Sequence, residues 1–199
     1  MALISQVTIA NLALSLVHTK GIESLADEAV TEAVVANLWY DPARREVLEA
    51  FNWGFGRRRL TLATHALAAP ANEWACRYQY PTDCVAPRYL ENPDGPDGDA
   101  VPFSKENATD DTLSIVTDLE DAVLVYTRDV TNPLLFTPHF VVTLAARLAY
   151  YMAGTLSNKQ SLQANLLKQY NTWLATAGAL DATQEVERAP RDADYIRAR

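Results

Sequence analysis

The sequence predicts a mainly α protein, a four-helix bundle with a small inserted β domain and an extended C-terminal arm. Four stretches place apolar residues at helical spacing, a central stretch is rich in strand-forming residues, and the last stretch has no apolar stripe. We therefore divide the chain into a first helical half at 1–73, a β-rich insertion at 74–132, a second helical half at 133–180 and an arm at 181–199.

Helical spacing is clear in the first helical half. We expect a first helix over Leu3–His18, ended by Gly21 in the left-handed conformation. Ser24 and Asp27 then predict the N-terminal cap of a second helix. The pair Asp41-Pro42 falls within that second helix and is compatible either with a kink or with a fresh helix start.

The central stretch changes character from about Trp74 onward. Tyr, Val and Ile become frequent, and turn residues interrupt them, which favours short strands. The segment at 92–99 contains Pro and Gly twice each and is predicted to be a loop. Its carboxylates do not form a calcium loop, because Pro93 and Gly95 would occupy positions that need side-chain ligands.

The second helical half carries two further helix starts. Thr137-Pro138 predicts a helix with Thr as the cap and Pro at the first helical position. Ser157 to Gln160 match a capping box and predict the start of a fourth helix. Beyond this helix, the charges of 183–199 alternate in sign without an apolar stripe, so we expect that segment not to fold by itself.

Composition limits the possible functions. With 199 residues, 49% of them hydrophobic and 21% charged, the chain is typical of a soluble globular protein. Its formal net charge of −8 disfavours tight nucleic-acid binding, which needs clustered Lys and Arg. Ser5 and Gln6 interrupt the apolar N-terminal residues, so we expect neither a signal peptide nor a membrane span.

No motif in the sequence predicts a catalytic site, a metal site or a cofactor. Cys76 and Cys84 fit no zinc spacing and are expected to be reduced thiols. His18, His65 and His139 lie in three different predicted segments, without a second ligand at metal spacing. The sequence also lacks a nucleophile elbow, a phosphate-binding loop and the HExxH pattern.

Several short motifs follow one another along the chain in a defined order. They are Ile22-x-Ser24-Leu25-x-Asp27 after Gly21, Tyr40 with Arg44-Arg45, Trp53-x-Phe55-x-x-Arg58-Arg59, Trp74 with Tyr78-x-Tyr80-Pro81-x-Asp83, and Tyr126-Thr127-Arg128. This order resembles the tail tubular protein A family, the head-to-tail adaptors of short-tailed bacteriophages. The resemblance extends to the C-terminal residues and so covers nearly the whole chain. Gly56, where the family usually has a small Ala, is a local departure.

The resemblance implies a virion protein, made in the host cytoplasm, that forms a dodecameric ring at the head–tail junction. Such a ring joins the portal protein to the tail nozzle protein and lets DNA pass through its lumen without specific binding. Two roles remain open for the β insertion, since it could hold tail fibres or meet the nozzle. A closed ring needs two different contact faces on each subunit.

Three groups of residues are candidates for these roles. The candidate portal-binding residues of the arm are Arg188, Arg191, Tyr195, Ile196, Arg197 and Arg199. Arg57, Arg58 and Arg59 are candidates for a subunit interface, because the acidic chain makes DNA binding through them unfavourable. The aromatic residues Phe51, Trp53, Phe55 and Trp74 are expected to fill the core at the junction between the second helix and the β insertion.

Two other classes of function remain as alternatives. One is a small soluble hydrolase whose catalytic carboxylates cannot be paired from the sequence, and it requires polar groups that converge in a concave pocket. The other is a helical binding module, which should be monomeric.

Overall fold

The structure, a computed structural model, describes residues 4–70, 73–93, 95, 99–157 and 159–183. Two helices lead the chain, six strands follow, and two helices come last. The elements are α1 Gln6–Val17, α2 Thr31–Ala50, β1 Arg57–Thr61, β2 Cys76–Gln79, β3 Cys84–Leu90, β4 Phe103–Asn107, β5 Leu113–Thr117, β6 Val123–Arg128, α3 Pro138–Leu156 and α4 Gln160–Thr183. Single 3-10 turns occur at Gly54–Gly56 and Pro133–Leu135.

The predicted fold class is wrong, because the protein is a mixed α/β protein and not a mainly α four-helix bundle. It has four helices and two three-stranded antiparallel sheets, and among the described residues 47% are helical and 20% are in strand conformation. The strand orders are β1-β6-β3 and β2-β5-β4. The sequence did not predict strand β1. Its residues Arg57–Thr61 are mostly exposed and lack the apolar alternation of a half-buried strand.

The chain separates into two compact units. The first comprises the described parts of Met1–Arg58, Thr82–Arg88 and Tyr126–Asp181, and it contains all of α1, α2 and α3. The second comprises the described parts of Arg59–Pro81, Tyr89–Val125 and Ala182–Arg199, and it contains the sheet β2-β5-β4. In that sheet Tyr78 of β2 lies opposite Ile115 of β5, and Lys105 of β4 lies opposite the same residue on the other side.

The predicted signals between α1 and α2 form turns instead of caps. The left-handed residue that ends α1 is His18, with φ 64°, and not Gly21. Gly21 instead lies against Asn11, whose side chain bonds both the N–H and the C=O of Ile22. The side chains of Ser24 and Asp27 each accept a bond from an N–H two residues on, which is the local turn these residues also favour. Helix α2 therefore begins later, at Thr31.

Helix α3 forms the centre of the first unit. Its start is confirmed, since the Thr137 side chain accepts a bond from the Phe140 N–H and Pro138 occupies the first turn. It packs against both α1 and α2, and Phe140, Leu144 and Leu148 are fully buried there. Pro42 lies inside α2 without splitting it into two helices.

Candidate functional site

Three of the four predicted junction aromatics come together in the first unit. Trp53 is completely buried, and its indole Nε1 donates to the Val47 carbonyl oxygen at 2.7 Å. Its ring meets Phe140 edge-on at 5.1 Å and Phe51 at 5.4 Å between centroids. Phe55 lies 6.1 Å from Trp53. Trp74, the fourth, belongs to the second unit and is half-buried.

Residues from three separate motifs meet at Asp83. One carboxylate oxygen of Asp83 accepts from Arg58 Nη1 at 2.8 Å, and the other accepts from the Tyr126 hydroxyl at 2.8 Å. Burial, reinforced by the hydrogen bond to Asp83, raises the pKa of Tyr126 to about 12. The Tyr126 hydroxyl therefore remains protonated at neutral pH and donates to the carboxylate.

A second set of charged residues connects Asp83 to helix α2. Arg44 is almost fully buried and donates to the Asp129 carboxylate and, at 2.8 Å, to the Val130 carbonyl oxygen. Arg45 lies 3.7 Å from the same carboxylate. The Asp129 N–H in turn donates to the backbone oxygen of Asp83 at 2.7 Å.

These contacts form one continuous set, which we call the Arg–Asp network. Its members are Arg44, Arg45, Arg58, Asp83, Tyr126 and Asp129. All but Asp129 belong to the motifs that carry the family resemblance. The network joins α2 to the parts of β1 and β6, and to the residue before β3, that lie in the same unit.

Tyr40, another motif residue, lies deep in the same unit. It is 3% exposed, and its hydroxyl has no hydrogen-bond partner among the described residues. Burial raises its pKa to about 12. The aromatic ring of Tyr40 therefore contributes to the packing of the core, and its hydroxyl group makes no hydrogen bond to a described residue.

The arginine triplet lies on β1, an edge strand of its sheet. The side chains of Arg58 and Arg59 are 50% and 61% exposed, yet both are ion-paired within the chain. Arg58 contacts Asp83, and Arg59 contacts Glu91. The sequence did not reveal these pairs, because each partner lies on a distant segment.

Arg88 is a structural residue that the sequence analysis missed. Its Nη2 donates to the carbonyl oxygens of Leu48, Glu49 and Phe51 at 3.1, 3.0 and 2.7 Å, and its Nε donates to Thr127 Oγ1 at 2.8 Å. A cation at this place satisfies the unpaired carbonyls at the C-terminus of α2 and opposes the helix dipole. Burial lowers the pKa of Arg88.

A second missed group surrounds Arg147 of α3, and we call it the Arg147 cluster. The guanidinium carbon lies 4.7–5.0 Å from the ring centroids of Tyr150, Tyr151 and Tyr170. Arg147 Nε donates to Glu46 Oε2 at 2.8 Å, and the Tyr151 hydroxyl donates to the same oxygen at 2.5 Å. Burial alone would raise the pKa of Glu46, but the hydrogen bonds from Arg147 and Tyr151 lower it.

The second unit contains an open depression of about 460 Å³, lined by residues that include His65, Cys76 and Arg77. Two of its polar side chains, Arg77 and His65, are bonded within the chain. Arg77 donates to the Ala68 carbonyl oxygen at 3.0 Å and to Ser114 Oγ at 2.8 Å. His65 accepts from the Leu67 N–H through Nδ1, which leaves its Nε2 proton to bond Thr112 Oγ1 at 2.9 Å. Cys76 is a free thiol.

Other predicted features stand as follows. No group of three or more His, Cys, Asp or Glu residues in the described part of the chain could hold a metal ion. Among the helices at 4–70, 73–93, 95, 99–157 and 159–183, none is long and apolar enough to cross a membrane. The candidate portal-binding residues Arg188, Arg191, Tyr195, Ile196, Arg197 and Arg199 lie outside the described residues.

Comparison with known protein families finds no family model that matches the chain, and comparison with curated proteins finds no match either.

Proposed function

We propose that this chain is a structural subunit of a phage head-to-tail adaptor, which forms a ring between the portal and the tail nozzle. The observation that supports the proposal best is the Arg–Asp network. Arg58, Asp83 and Tyr126 come from three motifs that are far apart in the sequence, and they are in direct contact. The motifs that resemble the adaptor family therefore form a framework that holds one helix to its strands.

A framework of this kind suits a structural protein better than an enzyme. The buried Arg44 and the Asp129 carboxylate bond each other, and Asp83 is bonded to two donors within the chain. Their hydrogen-bonding capacity is used to fix the fold, whereas a catalytic site presents polar groups to a substrate in a pocket. The surplus of negative charge also suits a lumen that lets DNA pass without retaining it.

The test is the mass of the assembly in solution, measured by light scattering with and without the portal ring of the same virion. We expect the free chain to be monomeric and to form a ring only on the portal, because regulated assembly requires a template. A chain that remains monomeric in the presence of the portal would contradict the proposal. Binding to duplex DNA, measured at low and high salt, is the control for a nucleic-acid role.

Helix α4 includes Asp181 to Thr183, so the predicted arm cannot begin at 181. The segment at 185–199 is proposed to dock on the portal through Tyr195 and Ile196, with its arginines pairing with portal carboxylates or carbonyls. A chain that ends at Gln184 keeps the bond from the Gly54 N–H to the Asp181 carboxylate, so it should melt like the full chain. It should nevertheless fail to stay on the portal. Equal retention of the two chains on portal-coated resin would show that the arm is not needed.

The arginine triplet is proposed to contribute to the contact between subunits. Arg59→Gln is the cleaner variant, because Arg59 pairs only weakly with solvent-exposed Glu91, whereas Arg58 is part of the Arg–Asp network. We expect Arg59→Gln to leave the melting temperature unchanged and to weaken ring formation. Glu91→Gln, which removes the same internal pair and keeps the arginine, is the matched control.

A further inference from the structure

The open depression of the second unit has an apolar lining. Its lining residues are 64–69, 75–78 and 120–121, and all of them belong to this unit. Four alanines and Leu67 are among them, and Leu67 is 36% exposed. Strand β2 also contributes to the lining, so we call this concave surface the β2 depression. Exposed apolar side chains in a concave surface are typical of a binding site.

Two exposed carboxylates also line the β2 depression. Glu120 and Asp121 lie in the turn that joins β5 to β6, and no described residue forms a hydrogen bond or an ion pair with either side chain. The cation Arg77 of the lining is paired, since its Nη2 lies 3.6 Å from the Glu106 carboxylate. The His65 ring is uncharged, because its Nδ1 accepts a hydrogen bond. The β2 depression therefore has an excess of negative charge.

The negative charge of the whole protein comes from the same unit. Residues 59–81 and 89–125 of this unit contain eleven Asp and Glu residues but only three cations, Arg59, Arg77 and Lys105. The rest of the chain has fourteen charged residues of each sign, so these two segments account for the formal net charge of −8. Such a surface attracts a cationic partner and repels nucleic acid.

We propose that the β2 depression binds a cationic segment of a partner protein. The aliphatic stem of an incoming Arg or Lys packs on Leu67 and the alanines, and its charged end pairs with Glu120 or Asp121. The volume of about 460 Å³ leaves room for a neighbouring apolar residue of the same segment. A protein segment provides both groups, whereas a free polyamine has no apolar side chain. The binding does not depend on the adaptor function, because it uses residues of the second unit alone.

A random library of short peptides displayed on beads tests the chemistry of the partner. Selection with the full-length chain should enrich peptides in which Lys or Arg lies beside an aliphatic residue. Their binding should weaken as the salt concentration is raised, because exposed charge pairs are screened. Selected peptides without a cation, or a selection that enriches nothing, would contradict the proposal.

Substitution of the two carboxylates tests the position of the cation. The affinity of the strongest selected peptide, measured by fluorescence anisotropy, should fall at least about fivefold in the double variant Glu120→Gln, Asp121→Asn. Asn readily adopts the left-handed backbone of Asp121, with φ 51°, so the turn should be kept. Asp111→Asn is the matched control, because Asp111 is exposed, has φ 61° and lies outside the β2 depression. Equal losses for the single variants Asp111→Asn and Asp121→Asn would show that general acidity attracts the peptide, and would overturn the proposal.

The native thiol of Cys76, which lines the β2 depression, shows where the peptide binds. Iodoacetamide modifies free thiols, and mass spectrometry measures the rate at each cysteine. At a peptide concentration of about ten times the Kd, the rate at Cys76 should fall about tenfold, in proportion to the unoccupied fraction. The rate at buried Cys84 should not change, and Cys76→Ser protein provides the background. Peptide binding without protection of Cys76 would place the peptide elsewhere and rule out the β2 depression as its site.

Spermidine distinguishes a protein partner from a small polyamine. We expect it to protect Cys76 only at a much higher concentration than the peptide, since it lacks an apolar side chain that could contact Leu67. Equal protection by spermidine and by the peptide would show that the site takes a polyamine, and would overturn a protein partner. The test of the adaptor function is separate, because a chain that fails to assemble on the portal should still bind the peptide.

Discussion

The two faces of helix α2 are in different environments. On one face, Arg44 and Leu48 are buried, and Arg44 belongs to the Arg–Asp network. On the other face, Val34 and Leu38 project into solvent. The comparison teaches that one helix can serve the core on one face and leave apolar side chains in contact with water on the other. Substitutions on the two faces should therefore affect different properties.

The largest effect is expected from Trp53→Ala, just beyond the C-terminal end of α2. Removal of a fully buried indole ring should destabilise the fold by about 3–5 kcal/mol, through lost transfer free energy and the cavity left behind. Thermal or urea unfolding measures this change. A melting temperature within a degree or two of the wild type would contradict the role of Trp53 in the core.

Arg44→Met tests the Arg–Asp network directly. The change leaves Asp129 and the Val130 carbonyl oxygen without a buried donor, which should cost about 2–3 kcal/mol. Arg45→Met removes a neighbouring arginine that is 59% exposed and approaches the same carboxylate, so it should cost less than about 1 kcal/mol. Equal losses in urea unfolding would show that the buried position of Arg44 has no special importance.

The Arg147 cluster predicts a smaller, pH-dependent effect. The pKa of Glu46 is lowered in the folded state, so its contribution to stability is present above the pKa of the unfolded chain and is lost as the pH falls through the folded-state pKa. Because Glu46 is partly exposed, we expect a contribution of at most about 1 kcal/mol. Melting temperatures of wild type and Glu46→Gln should differ near neutral pH and converge in acid.

A suitable control for this measurement is Glu23→Gln, which changes an exposed carboxylate in the turn before α2. Its melting temperature should follow the wild type at every pH. A constant difference between Glu46→Gln and wild type from neutral to acidic pH would show that the ionised carboxylate is not what stabilises the contact.

The smallest effect on stability is expected on the exposed face of α2. Leu38→Ser should change the free energy of unfolding by no more than about 0.5 kcal/mol, because the side chain is already in contact with water. Leu48→Ala, on the same helix but fully buried, should cost about 2–5 kcal/mol. A large loss for Leu38→Ser would mean that the Leu38 side chain packs within its own chain.

Local signals in the sequence predicted some elements well. Thr137-Pro138 was sufficient to define the start of α3, because cap and proline act within one turn. The predicted helix cap at Ser24 and Asp27 was wrong. These side chains can form either a helix cap or a local turn, and here they form turns. The prediction of the fold class was wrong for a related reason. An edge strand of arginines such as β1 has no apolar alternation to identify it.

Contacts between distant segments could not be predicted at all. Arg88 reaches α2 across about forty residues, and Arg147 reaches Glu46 across 101 residues. Neither arginine differs from a solvated surface arginine in its local sequence. The motif order did indicate that Arg58, Asp83 and Tyr126 matter, but their mutual contact became visible only in the structure. Hydrophobic periodicity identifies the buried face of a helix or strand, but it does not show which helices and strands contact each other.

The stretch without carboxylates between Asp129 and Asp181 has a further consequence for behaviour in acid. Acid unfolds proteins largely by adding protons to carboxylates that the native state keeps ionised. Helix α3 and nearly all of α4 have no such groups, whereas α2 has several. Proton uptake should therefore release α2 first and leave α3 and α4 helical. On acidification, the near-ultraviolet circular dichroism of packed aromatic residues such as Trp53 should disappear before the far-ultraviolet helix signal.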